Sequence, residues 1–431
     1  MRRFATLLGI LYFFFLSSTS AVVVSNPKGL VLPVSKDGKT KQYVLNIYQR
    51  TPRVSVKTSL HLGGKYFWVN CQRGYISSTY QPVRCGSAGC KIAGSFSCIT
   101  ECYSPPKPGC NNNTCGVIID NPVIRTSTSG ELGQDVVSIP STDGYNSGPE
   151  VSISNVSVGC GGTSVLNGLP QGVQGIAGFG RAEASLPYQV ASSLRLAQKF
   201  AICLTSAVNS NGMIVFGGGP YKLPFDISGT LVYTPLIRNP VSTAGSFFKG
   251  EASTDYFIKV TSIQVGGKAV MLNNSLLTID RHGRGGTKMS TLVPYTVLQT
   301  TIYRALINAY SEALSSIPRV AAVAPFELCI NSSNIRSTKL GPAVPGMDFV
   351  LHTQQTIWTF NAASSMVQAA PDVLCLGVVD GGMNPTTSIV IGGYQMEEQL
   401  LEFDLAAARF GFSPLLYTLR TSCPSFNFRS T

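Results

Sequence analysis

The chain has 431 residues, more than one compact core ordinarily holds, so two lobes are expected. Only 13% of residues are charged, against about 25% in a typical globular protein, yet the formal net charge is +12. The basic residues are scattered without a dense run, which argues against nucleic acid as a partner and favours an acidic matrix or an acidic protein surface.

Met1-Arg2-Arg3 is a basic start, Phe4 to Leu16 is almost wholly apolar, and Ser17 to Ala21 supplies small residues for cleavage. This pattern predicts a secretory signal peptide over residues 1–21, too short and wrongly flanked to span a bilayer. No later stretch reaches the roughly eighteen uninterrupted apolar residues of a membrane span. The expected mature product is secreted, extracellular and free of a membrane anchor.

Most of the remaining chain reads as strand. "YVLNIY" (43–48), "RVSVKTSL" (53–60), "YFWVN" (66–70), "GMIVFGG" (212–218), "DFVLH" (348–352) and "LLEFDL" (400–405) are β-branched or aromatic runs bounded by turn residues. Two segments carry helical signals. "SLPYQVASSLRLAQKF" (185–200) has Ser185 as a cap and Pro187 in the first turn. "TVLQTTIYRALINAYSEAL" (296–314) has Thr296 and Gln299 at capping-box spacing, with apolar residues at helical period up to Leu314. A weak repeat links "QGIAGFG" (174–180) to "SIVIGGY" (388–394). Glycine and proline concentrate at "GGGPYKLP" (217–224), which sets expected lobes of residues 22–222 and 223–431.

Twelve cysteines suit an oxidising compartment. Cys85, Cys90, Cys98, Cys102, Cys110 and Cys115 crowd one segment without a CxxC pair or a nearby histidine, so a disulfide-stapled loop region is expected rather than a zinc cluster. Cys71, Cys160 and Cys203 complete the first lobe, and Cys329, Cys375 and Cys423 fall in the second. Each lobe then holds an odd number, so full pairing needs a bridge between them. Cys329–Cys375 and Cys203–Cys423 are the pairings expected, although spacing alone does not fix connectivity. Asn112, Asn155, Asn273 and Asn331 head N-glycosylation sequons. His61, His282 and His352 are too dispersed for a metal site, and no cofactor is expected.

Long motifs carry a resemblance: "LVLPVSKD", "QYVLNIYQRTP", "WVNCQRGYISSTYQPVRCGSAGC", "GGTKMSTLVPYTVLQTTIYRAL", "RVAAVAPFELC", "STKLGPAVP", "VLCLGVVDGG" and "SIVIGGYQMEEQLLEFDLA". Across nearly its full mature length the chain resembles a plant family of secreted, pepsin-like, catalytically degenerate proteins. That family includes extracellular dermal glycoproteins, legume basic globulins, cereal xylanase inhibitors and xyloglucan-specific endoglucanase inhibitors. The resemblance implies an all-β, bilobal, aspartic-protease fold with a few short helices.

It also implies a lost catalytic centre. Aspartic proteases need two carboxylates close enough to share a proton. Matching "LHLGG" and "GGTKMSTLVPY" to the family puts His61 and Ser290 at the two Asp positions, and Asp120-Asn121-Pro122 replaces the usual Tyr-Gly-Asp of the flap. A Ser–His nucleophile pair is the rival reading. No third residue that would orient the imidazole is evident, so a neutral hydrogen bond between His61 and Ser290 across the lobes is expected instead.

Members nearest this pattern look like inhibitors of microbial cell-wall glycoside hydrolases, notably xyloglucan endo-β-1,4-glucanases. A glycosidase cleft displays two carboxylates that an inserted cation can block with charge-assisted hydrogen bonds. Carried over residue by residue, the resemblance places Lys339 and Arg420 on the inhibitory loops, with Arg336 as the substitute for Lys339. The family position of Lys339 is typically Arg, whose bidentate fork lysine lacks. A storage or peptide-binding globulin is the alternative reading, and residual hydrolysis a third.

Overall fold

The computed structural model describes residues 27–245 and 250–428; the expected signal peptide lies outside them. The architecture is mostly β and bilobal, with a few short helices. Its spine is an antiparallel sheet to which both halves contribute. Gly29–Lys36 pairs with Asn211–Phe216, which pairs with Lys199–Cys203. Lys199–Cys203 then pairs with Leu400–Asp404, the crossing from one half to the other. Arg409–Phe412 and Val232–Ile237 complete the series on the far side. Aromatic side chains fill the seam: Phe200 stacks on Phe403 at 4.8 Å between ring centroids, and Tyr256 sits 4.6 Å from the Phe403 ring.

Each half also carries a matching three-strand device. In the first, Gly175–Gly178 runs parallel to the end of Val54–His61 and antiparallel to Trp68–Asn70. In the second, Ile389–Ile391 runs parallel to Thr287–Met289 and antiparallel to Thr296–Leu298. The repeat read in the sequence is this device. Over the first half, Thr114–Asn121 and Thr126–Thr142 form a flap hairpin, with Asp120 opposite Ser127 near its tip.

Both predicted helices are shorter than their sequence signals. The first is Leu186–Leu194, closed by Arg195 in the left-handed conformation. The residues beyond it instead form Lys199–Cys203 of the central sheet, where Phe200 and Ile202 are fully buried. Ser185 stands at the cap position, but its buried hydroxyl makes no hydrogen bond. The second helix is Thr300–Ala313, capped by Gln299, whose Oε1 accepts from the N–H groups of Thr301 and Ile302. Thr296 does not cap it: Thr296–Leu298 is a strand, and the Thr296 hydroxyl donates to Gln395 at 2.8 Å. Sheet pairing on both sides of this β-branched segment outweighs the local helix signal.

All twelve cysteines are paired: Cys71–Cys160, Cys85–Cys98, Cys90–Cys115, Cys102–Cys110, Cys203–Cys423 and Cys329–Cys375. Cys203–Cys423 ties the tail of the chain to the spine of the first half. Among the described residues no group of His, Cys, Asp and Glu is arranged to hold a metal, and no helix is long and apolar enough to cross a membrane.

Candidate functional site

Two places gather the residues that the sequence singled out: the cleft between the halves and a depression on the rim of the second half. In the cleft, strand register makes His61 and Ser290 equivalent. Leu60 pairs with Ala177 where Met289 pairs with Ile391, and His61 and Ser290 each follow by one residue. The loops remain clasped by Thr291. Its hydroxyl donates to Leu60 O at 2.7 Å and accepts from Leu62 N–H at 3.2 Å. Leu62 has no hydroxyl to return the grip.

The expected hydrogen bond between His61 and Ser290 is not formed among the described residues. Ser290 Oγ accepts from Leu292 N–H at 3.3 Å, within its own loop. His61 faces a different group, one the sequence reading missed. Asp255 packs against Gly63 so closely that a Cβ there would lie 1.8 Å from its Oδ1 and 3.3 Å from His61 Nε2. A side chain at that position would have to displace the Asp255 carboxylate from its contacts. Lys288 Nζ meets Asp255 Oδ2 at 2.7 Å, and Thr243 Oγ1 donates to the same oxygen.

The charges follow from these contacts. Burial alone would raise the Asp255 pKa, but Lys288 and the Thr243 hydrogen bond prevail and hold it below the usual carboxylate value. Burial drives His61 down to about 4, opposed by Asp255 and reinforced by Lys288, so the imidazole is neutral above that range. Asp120, reaching in from the flap, is pushed up to about 6 by burial, with a further push from Asp255. The cleft therefore contains carboxylates, but Asp255 is locked to Lys288, Glu251 is paired with Lys65, and Asp120 lies on the flap. None stands at the end of the paired strands. Lys288 was not singled out from sequence either, although "TKMS" places it two residues before Ser290 and so on the same strand face. Asp255 lies in "STDYF", which carries no comparable signal.

The rim site joins residues distant in sequence. Ser337–Thr338 and Gly341–Pro342 form a hairpin with Lys339 and Leu340 as its turn. The turn is fixed by Thr338 Oγ1 donating to Gly341 O at 2.7 Å and accepting from Leu340 N–H. Gly341 has φ +94°, and a Cβ there would lie 2.3 Å from Ala363 N, so only glycine fits. Arg420 follows the short 3₁₀ turn Leu416–Leu419 and adopts a left-handed conformation, φ 58° and ψ 34°. Its neighbours hold it there: Thr421 donates to Leu223 O, and Cys423 N–H donates to Glu398 at 2.9 Å. Lys339 and Arg420 are exposed and line one shallow depression together with Tyr417. Neither cation's side chain makes a hydrogen bond or ion pair among the described residues. Arg336 is also exposed, at the foot of the hairpin, but does not line the depression. Tyr417 was not singled out from sequence, though it stands one helical turn before Arg420.

Of the sequon asparagines, Asn112, Asn155 and Asn273 are exposed and Asn331 is half-buried. Asn112 and Asn273 use Oδ1 to accept backbone hydrogen bonds.

Comparison with known proteins places this geometry in a family. The model of the xylanase inhibitor N-terminal region matches residues 43–218, and that of the C-terminal region matches residues 255–414. A probable aspartic proteinase GIP2 of Nicotiana benthamiana is 50% identical over 421 residues, covering 96% of each chain. The crystal structure of edgp superposes with a TM-score of 0.92 at 50% identity, covering 94% of this chain and 99% of that one. The soybean basic 7S globulin superposes with a TM-score of 0.81 at 35% identity, covering 94% of this chain and 100% of that one. A gamma conglutin of Prunus dulcis is 43% identical over 407 residues, 93% of this chain and 90% of its own. With matches spanning both halves and the whole β framework, the chain belongs to the pepsin-like family of xylanase inhibitors, basic 7S globulins and gamma conglutins.

Proposed function

We propose that this is a secreted inhibitor of microbial cell-wall glycoside hydrolases, directed at a xyloglucan endo-β-1,4-glucanase and without proteolytic activity of its own. The observation that carries the reading is the depression shared by Lys339, Tyr417 and Arg420. Two exposed cations beside an aromatic ring suit the groove of an endoglucanase, where paired carboxylates flank the scissile bond. Each cation enters such a groove without first breaking an internal ion pair. The family match to xylanase inhibitors supports the target class. The expected signal peptide, the complete disulfide pairing and the exposed sequon residues Asn112, Asn155 and Asn273 support secretion into an oxidising extracellular space.

The absence of proteolysis rests on the cleft. His61 and Ser290 end the paired strands, and a neutral imidazole with an alcohol does not share a proton as two carboxylates do. Asp255 cannot substitute while Lys288 neutralises it at 2.7 Å. Cleavage of peptides at acid pH, sensitive to an aspartic-protease inhibitor, would overturn this part.

The test is reducing-sugar release by a purified microbial xyloglucanase titrated with the wild-type protein and with Arg420→Ala. Arg420 already occupies left-handed backbone, where alanine pays the same conformational cost, so folding stability should change by less than about 0.5 kcal/mol. Inhibition should weaken about 30-fold or more if Arg420 is a buried anchor in the complex. Equal inhibition by both proteins would remove the mechanism. A second reading, a storage or peptide-binding globulin, is favoured by the likeness to the basic 7S globulin and the gamma conglutin. It predicts no effect on any member of a panel of xylanases and endoglucanases.

A further inference from the structure

We propose that the inner chamber of the interlobe cleft binds an organic cation, a primary ammonium or a guanidinium group such as the head of a lysine or arginine side chain, seated against the Asp120 carboxylate. This site is separate from the rim depression and does not rest on the inhibitor reading.

Two spaces meet at Asp120. The inner chamber, about 90 Å³, is bounded by His61, Lys65, Tyr66, Asp120, Asp255 and Lys288. The outer groove, about 830 Å³, runs from Asp120 along Arg125, Val293, Val297 and Asp380. Asp120, Pro122, Thr243 and Lys288 line both, so the chamber opens into the groove. Whole small-molecule ligands fill pockets of roughly 300–1,000 Å³. The chamber has room for one head group, and the groove for the extended remainder of the ligand.

Charge selects the head group. Lys65 is paired with Glu251, and Lys288 with Asp255 at 2.7 Å. His61 is neutral above about 4, and burial keeps the Tyr66 hydroxyl protonated by raising its pKa. In the groove, Arg125 and Asp380 offset each other in sign. Among the described residues Asp120 has no cationic partner, so it contributes one unmatched negative charge once it ionises. A cation supplies the missing partner and gains charge-assisted hydrogen bonds in a desolvated space. An anion would have to compete with Asp255 or Glu251 for a lysine already engaged.

The pH dependence follows from the same residue. A carboxyl group titrating near 6 is about nine-tenths ionised at pH 7 and about one-tenth at pH 5. Of the groups facing it, Asp255 is held below the usual carboxylate value and Lys65 above the usual lysine value, Lys288 and Glu251 are their respective ion-pair partners, and His61 and Tyr66 stay neutral over that interval.

Calorimetric titration of the full mature protein with agmatine, which carries a guanidinium group, and with cadaverine, an alkyl diamine, tests the site. One saturable site is expected at pH 7, with affinity about ten-fold weaker at pH 5. Asp120→Asn should abolish binding at pH 7, whereas Arg420→Ala should leave it unchanged and so separate this site from the rim. If Asp120→Asn does not fold, the ratio of affinities of the wild-type protein at the two pH values decides alone. Failure of both cations to bind at pH 7, equal affinity at pH 7 and pH 5, or binding retained by a folded Asp120→Asn would each overturn the proposal.

Discussion

Lys288 has its Nζ 2.7 Å from Asp255 Oδ2, and both side chains are largely shielded from solvent. Replacing it with methionine, similar in length and uncharged, leaves the carboxylate buried without its partner. The expected loss is about 3–5 kcal/mol at pH 7, measured by urea unfolding. Its sign with pH follows from the shifts. In the wild type the Asp255 pKa is depressed, so the pair stabilises above the unfolded carboxylate value and that contribution is lost as pH falls through the folded one. His61 is depressed to about 4, so the wild type also loses stability between about 6.5 and 4, where the unfolded chain takes up the proton first. In Lys288→Met, protonation relieves the orphaned carboxylate, and the gap between variant and wild type narrows toward pH 4. A gap independent of pH would mean that the lysine serves only through its packing. The sequence showed His61 and Ser290 as departures from a two-carboxylate pattern. It concealed Asp255 because that residue enters the cleft from a loop with no motif, and only the close packing on Gly63 reveals the neighbourhood.

Single residues owe their positions to elements whose ends are set by competing partners. The Thr300–Ala313 helix starts at Gln299 because Thr296 is consumed by Gln395 and by pairing with Val378–Asp380. Gln299→Ala removes the bonds to Thr301 and Ile302 and should cost about 1 kcal/mol, read as a lowered urea midpoint with unchanged slope. Periodicity gave the helix itself, since Ile302, Leu306 and Tyr310 are all buried. It could not give the start, because the decision is made across 99 residues of sequence by a glutamine side chain. The Lys339 hairpin shows the same dependence. Gly341→Ala meets Ala363 N at 2.3 Å and must displace the turn. Weaker glycosidase inhibition is expected on the inhibitor reading, measured well below a melting temperature that is itself lowered, because the strained turn also packs on Ala362–Ser365 through the Ala363 N–H bond to Leu340 O. Unaltered inhibition by that variant would count against Lys339 as a contact.

At the scale of the molecule, the strand series was legible in outline: alternating apolar runs, frequent turns, an odd cysteine count in each half. The exchange of partners was not, because Lys199–Cys203 and Leu400–Asp404 look like any other buried strands until they are seen paired. Division at the lobe boundary we propose, between Lys222 and Leu223, would strip each from the other. The first fragment would present Lys199–Cys203 as a bare, apolar edge, and the second would present Leu400–Asp404. Either one expressed alone is expected to aggregate, and the two expressed together to recover a soluble complex, as sedimentation of the fragments would reveal. Independently soluble, monomeric fragments would mean that the seam is dispensable. If the seam is required, the two halves are not autonomous units, and a substitution on either face of it, Phe200 or Phe403 for instance, is felt by both.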